Sequence, residues 1–204
     1  LLYLDIKTGK VLFEETKDIF GTWLGYSVKH KFLLQAIRPS QDMLTGEVGN
    51  RMIVYNAISK KKVWDKKIEY DNPPIIHNDK IYTNGEGFSL ITGDPIVEKD
   101  LLTGEDKKWN FKREYGCGIV VASEYLLTFR SASAGFINLE TFDGTGSLGG
   151  WRSGCSTNLI VADGVLNSPD YTRTCQCPYQ NQTSLALINM PWMTYWANSN
   201  YKWS

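Results

Sequence analysis

The stretch Asp5-Ile-Lys-Thr-Gly-Lys-Val-Leu-Phe13 constrains this chain more than any other. It reads as a strand, a tight turn at Thr8-Gly9 and a second strand that closes on a large aromatic. Glycine suits such a turn because, lacking Cβ, it takes a positive φ at little cost. The phrase recurs in worn form. Asn56-Ala-Ile-Ser-Lys-Lys-Lys-Val-Trp64 keeps the spacing from first polar residue to closing aromatic, with Lys60 in the glycine's place. Asp100-Leu-Leu-Thr-Gly-Glu-Asp-Lys-Lys-Trp109 keeps the Thr-Gly turn and gains one residue. Asn138-Leu-Glu-Thr-Phe-Asp-Gly-Thr-Gly146 is a looser copy, with Trp151 beyond it. A strand-and-turn unit repeating at about 40–50 residues is the mark of a β-propeller blade.

A second feature keeps the same period. Short polar turns between apolar runs fall at His30, Asp79, Ser123 and Asp163. An irregular β-sandwich is the competing architecture, but two unrelated features would not share one drifting period by chance. The expectation is an all-β chain, a β-propeller of four-stranded antiparallel blades. Its segments are residues 1–15 (partial), 21–68, 73–112, 116–152 and 156–190, followed by an aromatic tail at 191–204. That makes about four to five blades, and propellers close with roughly four to eight. Because Leu1-Leu-Tyr-Leu4 already reads as a strand inside a repeat, the chain is expected to be the C-terminal part of a larger ring. Any export signal would then lie upstream. Each blade is apolar on both faces and is buried only by its neighbours. The closing aromatics Phe13, Trp64, Trp109 and Trp151 are expected to seal the seams between blades.

Charge narrows the partners. Lys+Arg and Asp+Glu both number 22, a balance that predicts no nucleic-acid footprint. No apolar run is long enough to span a membrane as a helix. The expected partners are other blades or domains of a larger polypeptide, or another protein.

Four cysteines, Cys117, Cys155, Cys175 and Cys177, occur in the second half. Strand order brings them toward one mouth of the propeller. Two disulfides would tie the 168–183 loop to the inner strands; alternatively, four thiolates would hold zinc. The Cys-x-Cys spacing is tighter than the usual zinc-site gap, and an even count suits an oxidising compartment. Disulfides are the expectation, with Cys117 and Cys155 each reaching one member of the Cys175/Cys177 pair. Asn181-Gln-Thr183 matches a glycosylation sequon, which matters only in a eukaryotic secretory route.

The pattern Asp-x-x-Thr-Gly-x-x-x-aromatic, with Ile76-His-Asn-Asp-Lys-Ile-Tyr82 upstream of one copy, resembles the PQQ-like β-propeller repeat. Gly116-Cys-Gly118, Phe129-Arg-Ser131, Gly135-Phe136, Arg152-Ser-Gly-Cys155, Asn158-Leu-Ile160 and Cys175-Gln-Cys177-Pro-Tyr179 resemble the C-terminal portion of large bacterial propellers of that kind. Such repeats occur in quinoprotein alcohol dehydrogenases and in propellers that bind no quinone, including outer-membrane assembly factors. The resemblance implies a bacterial protein exported to the periplasm or beyond the cell.

A quinone site would need a carboxylate base, a calcium ion held by acidic and amide oxygens, a Trp floor and often a disulfide between adjacent cysteines. No adjacent pair exists here, and Asp163, Asp170 and Glu124 read as turn and loop acids. No cofactor is expected, with PQQ and calcium as the alternative. His30 and His77 read as ordinary turn and strand-end residues. Lys60-Lys-Lys62 reads as a solvated edge that discourages stray strand pairing. Arg130 and Arg152, expected near the cysteine mouth, read as structural arginines, with anion binding as the alternative. Trp192, Tyr195, Trp196 and Trp203 make the tail aromatic enough to serve as an interface, with packing across the propeller itself as the alternative. The function that follows is a non-catalytic scaffold for a protein or other ligand, with a quinoprotein oxidoreductase fragment as the alternative. Carbohydrate binding through loop tryptophans is a third class.

Overall fold

The computed structural model describes residues 1–38, 49–100, 102–111, 113, 116, 118–142, 144–148, 151, 159–169, 184–190 and 192. These form small antiparallel sheets and no helix. β1 (Leu2–Leu4) and β2 (Val11–Glu14) make a hairpin. β3 (Trp23–Ser27), β4 (Phe32–Ala36), β5 (Met52–Asn56) and β6 (Lys62–Lys66) follow as a four-stranded meander. β7 (Ile75–His77), β8 (Lys80–Tyr82) and β9 (Gly87–Ser89) are the next sheet, and β10 (Val97–Lys99) with β11 (Asp106–Lys108) a separate hairpin. β12 (Val121–Ala122), β13 (Leu126–Ser131), β14 (Ser133–Asn138) and β15 (Gly146–Ser147) are again four-stranded. β16 (Ile160–Ala162), β17 (Val165–Ser168) and β18 (Leu185–Ile188) complete the series.

Successive sheets pack face to face. Leu34, Met52, Val54 and Trp64 meet Ile81, Phe88 and Leu90 of the following sheet. Tyr82, Trp109 and Phe111 meet Leu127, Phe129 and Ile137 of the one after. The central strands are therefore covered on both sides, which is why β4 and β5 read as apolar runs rather than alternating ones. These stacked meanders are blades of a β-propeller.

The signature turn has one construction throughout. Its first residue donates its N–H to the carbonyl five positions on, and its own carbonyl accepts the N–H four positions on. This holds for Asp5 with Lys10 and Gly9, Asn56 with Lys61 and Lys60, Ser89 with Asp94 and Gly93, and Asp100 with Glu105 and Gly104. Asn138 accepts from Phe142 in the same way. The side-chain oxygen of the first residue takes N–H groups inside the loop: Oδ1 of Asp5, Asn56, Asp100 and Asn138, and Oγ of Ser89. The fifth residue is left-handed every time, at φ of 69° for Gly9, 61° for Lys60, 72° for Gly93, 71° for Gly104 and 53° for Phe142.

This geometry revises the place of one copy. The turn after β9 is Ser89–Asp94, a copy in which a hydroxyl replaces the carboxylate. The Asp100 copy instead closes the inserted β10–β11 hairpin. After that insertion the chain returns, and the Trp109 N–H donates to the Ile96 carbonyl at 2.8 Å.

Candidate functional site

Three of the closing aromatics reach the left-handed residue of the next blade's turn. The Lys60 ammonium stands 5.8 Å from the Phe13 ring centroid and donates to the Leu12 carbonyl at 3.0 Å. The Trp64 ring lies on Gly93, so closely that a Cβ there would come within 2.9 Å of the ring. The Trp64 indole N–H donates to the Leu90 carbonyl at 2.9 Å. Trp109 meets Phe142 edge to face, centroids 5.5 Å apart. Trp151 is half-buried, and its carbonyl accepts the Ala134 N–H. Trp192 is exposed; Tyr195, Trp196 and Trp203 lie outside the described residues.

Polar contacts cross the same seams. The Trp23 indole donates to the Pro74 carbonyl at 2.7 Å, and Thr128 Oγ1 to the Leu159 carbonyl at 2.9 Å. At the inner turns, Lys29 and His30 reach Asp79 Oδ1 at 2.8 and 2.6 Å. Lys29, then His30, hold the Asp79 carboxyl below the usual carboxylate range. His77 Nε2 meets the Glu124 carbonyl at 2.9 Å. Both histidines are thus seam residues, a role that turn position alone did not reveal.

Cys117, Cys155, Cys175, Cys177 and Arg152 lie outside the described residues, as do the Asn181 sequon and Asp170. The Arg113 guanidinium donates to the carbonyls of Arg130 at 2.8 Å, Gly116 at 3.1 Å and Gly118 at 3.0 Å. No spacing in the sequence singles out Arg113. Arg130 is buried among the same segments.

The described residues do not fit a quinone and its calcium. Glu124 and Asp163 sit in exposed turns of separate blades. The rings of Trp64 and Trp109 are sealed in seams and offer no open floor. No group of three or more His, Cys, Asp or Glu side chains converges among the described residues. Glu69, Asp71 and Glu86 line a shallow groove in which Asn84 donates to Asp71 at 3.2 Å.

The surface that stands out is apolar. The β1–β2 hairpin lays Leu1 and Tyr3 on Leu33, Ile53 and Tyr55, covering the outer part of the β3–β6 sheet. It leaves the innermost strand bare. Leu24, opposite Gln35, and Tyr26, opposite Leu33, project on the covered side of the sheet, yet are 51% and 48% exposed. The other side of β3 is closed: a Cβ on Gly25 would touch Ile76 at 3.1 Å. On β1 itself Leu2 and Leu4 are exposed, as is Leu12 beside them. Beneath this step Gln35 is 1% exposed. Its Oε1 accepts the Tyr55 hydroxyl at 3.3 Å, while its buried Nε2 has no partner among the described residues. The sequence signal for this face was the alternation in Trp23–Ser27, which marks two faces but not which one is covered.

No protein-family model matches the chain, and no curated protein matches it. Among solved structures it is similar to the crystal structure of BamB from Moraxella catarrhalis, with 12% sequence identity and a TM-score of 0.47. The similarity covers 78% of this chain and 50% of that one, so the chain spans about half of that structure's length.

Proposed function

We propose that this chain is a non-catalytic propeller scaffold whose task is to hold a protein-interaction surface rigid. The observation that carries the reading is the stack itself, in which successive sheets bury their facing cores and the same signature turn closes each copy. The stacked seams supply the rigidity: rings pack across those of Phe13, Trp64 and Trp109, and side-chain bonds cross to the next blade from Trp23, Trp64 and Thr128.

The alternative is a quinone-dependent oxidoreductase fragment. The two readings separate in one assay. The chain is mixed with PQQ and calcium and followed for dye-linked oxidation of alcohols. Scaffold function predicts no quinone-dependent turnover, and turnover above the protein-free rate refutes it. Export to the periplasm or the extracellular space is part of the proposal and rests on the even cysteine count. Mass mapping without reductant is expected to find Cys117, Cys155, Cys175 and Cys177 in two disulfides. Four free thiols or bound zinc would remove that support.

A further inference from the structure

The chain holds one Asn-Gly pair, Asn84-Gly85, and such a pair carries its own chemistry. Glycine lacks a Cβ, so its backbone nitrogen can reach the preceding side-chain amide unhindered and attack it without an enzyme. The pair forms the two-residue connection between β8 and β9. The Thr83 N–H donates to the Glu86 carbonyl at 2.9 Å, and Gly85 turns the chain at a φ of 116°. The same connection anchors the outer edge of the blade. The Phe111 N–H donates to the Gly85 carbonyl at 2.8 Å, and Asn110 bridges Glu86. These contacts hold the chain where it returns from the β10–β11 insertion, next to Trp109.

The closed fold restrains both reactants. The Gly85 N–H, the nucleophile, donates to the Thr83 carbonyl at 3.1 Å. The Asn84 Nδ2 donates to Asp71 at 3.2 Å, and the Asn84 Oδ1 is buried with no partner among the described residues. Neither group is free to move onto the other while these bonds hold.

We propose that Asn84 is a modification site, deamidated without an enzyme when the β8–β9 connection opens, and that the product keeps the blade edge from closing again. In the step, the Gly85 nitrogen bonds to Asn84 Cγ and the Cγ–Nδ2 bond breaks. Ammonia leaves with the Gly85 amide proton. Water then opens the cyclic imide to aspartate or isoaspartate. Both products spoil the site. A carboxylate replaces the amide that donates to Asp71, in a groove whose described lining includes Glu69, Asp71 and Glu86 and no Lys or Arg. Like charges so placed repel, and a buried oxygen gains charge without gaining a donor. Isoaspartate also inserts a methylene into the main chain, which upsets the pairing of Thr83 with Glu86 and of Gly85 with Phe111.

The test incubates the whole chain at neutral pH and follows peptide masses and isoaspartate content, beside a linear peptide of residues 80–89 as the unrestrained reference. The peptide should convert at least about tenfold faster, because the folded chain reacts only through a minor open state. Urea below the unfolding midpoint should bring the folded chain toward the peptide's rate. Asp71→Ala, which releases the Asn84 amide, should speed conversion as well. Hydrogen exchange on the deamidated fraction should show protection lost at Phe111 and β9, with β4 and β5 unchanged. Asn84→Asp made directly should lose protection at Phe111 too, and adding Asp71→Asn should restore part of it. Equal rates in peptide and folded chain, or conversion that urea does not speed, overturns the proposal. So does an unfolded chain that keeps the Asn84 amide while the peptide loses it. Phe111 protection in the deamidated fraction equal to that of the parent overturns it too.

Discussion

Gly93 offers a test of the seam in which the controls are built into the same protein. Gly9, Gly93 and Gly104 hold the same place in three copies of one turn, at φ of 69°, 72° and 71°. A Cβ at Gly9 or Gly104 would meet nothing within 4 Å. Alanine there costs only the left-handed conformation, roughly 1–2 kcal/mol, partly offset by about 0.4–1 kcal/mol from a less flexible unfolded chain. The net is about 1 kcal/mol. At Gly93 the same Cβ would lie 2.9 Å from Cδ2 and 3.0 Å from Cε3 of Trp64. That ring is buried and tethered through its N–H to Leu90, so it cannot swing aside. Overpacking adds about 1–3 kcal/mol, for a total near 2–4 kcal/mol. The assay is urea denaturation of the three variants, with native-state hydrogen exchange to locate the opening. Gly93→Ala should lose most protection in β5, β6, β8 and β9. Adding Trp64→Leu to Gly93→Ala should cost less than Trp64→Leu alone in the parent, because the clash goes with the ring. If Gly93→Ala is no worse than Gly104→Ala, the ring does not rest on that turn and the account of the seam is wrong.

Two further outcomes follow from single contacts. Thr128→Val keeps shape but loses the buried bond to the Leu159 carbonyl, and should destabilise by about 1–2 kcal/mol; hydrogen exchange should place the loss at β16 and β17, with β4 and β5 unaffected. The Asp65 carboxyl is held low chiefly by paired hydrogen bonds from Arg51, with Nε at 2.8 Å and a terminal nitrogen at 2.7 Å, and secondarily by Lys62. A lowered carboxylate contributes stability that is complete above its unfolded pKa of about 4 and fades as pH falls through the folded value. Urea midpoints taken from pH 6 down to pH 2 should therefore fall less steeply in Asp65→Asn than in the parent, and parallel curves would refute the assignment.

What the sequence discloses depends on whether a feature is local. The turns at Asp5, Asn56 and Asp100 could be read directly, because the capping oxygen and the left-handed residue lie within one short stretch. The copy at Ser89 escaped: serine does the work of aspartate there, and the neighbouring Asp100 copy fits the pattern better. Lys60 stands in the glycine's place and adopts the left-handed φ regardless, at 61°. Its ammonium bond to the Leu12 carbonyl is one contact that fixes it there. The histidine contacts and the Arg113 anchor join segments far apart in the chain, so spacing carries no trace of them. Nor could alternation in Trp23–Ser27 say that Leu24 and Tyr26 would stand in water. A strand pattern assigns faces, and only the neighbouring sheet decides which is buried.

Three of the seam bonds share a direction. Trp23 donates to Pro74, Trp64 to Leu90 and Thr128 to Leu159, in each case from the earlier blade to a main-chain carbonyl of the later one. Because the acceptor is backbone, the residue that supplies it is free to change. At these three bonds only the donor's side chain is specified, which lets the acceptor stretches drift while the stack stays intact. The blades joined by these bonds meet donor face to acceptor face, like subunits joined head to tail. A blade could then be duplicated or lost by recombination with both new seams still matched, and lineages that carry this domain are expected to differ in blade number more readily than in seam chemistry.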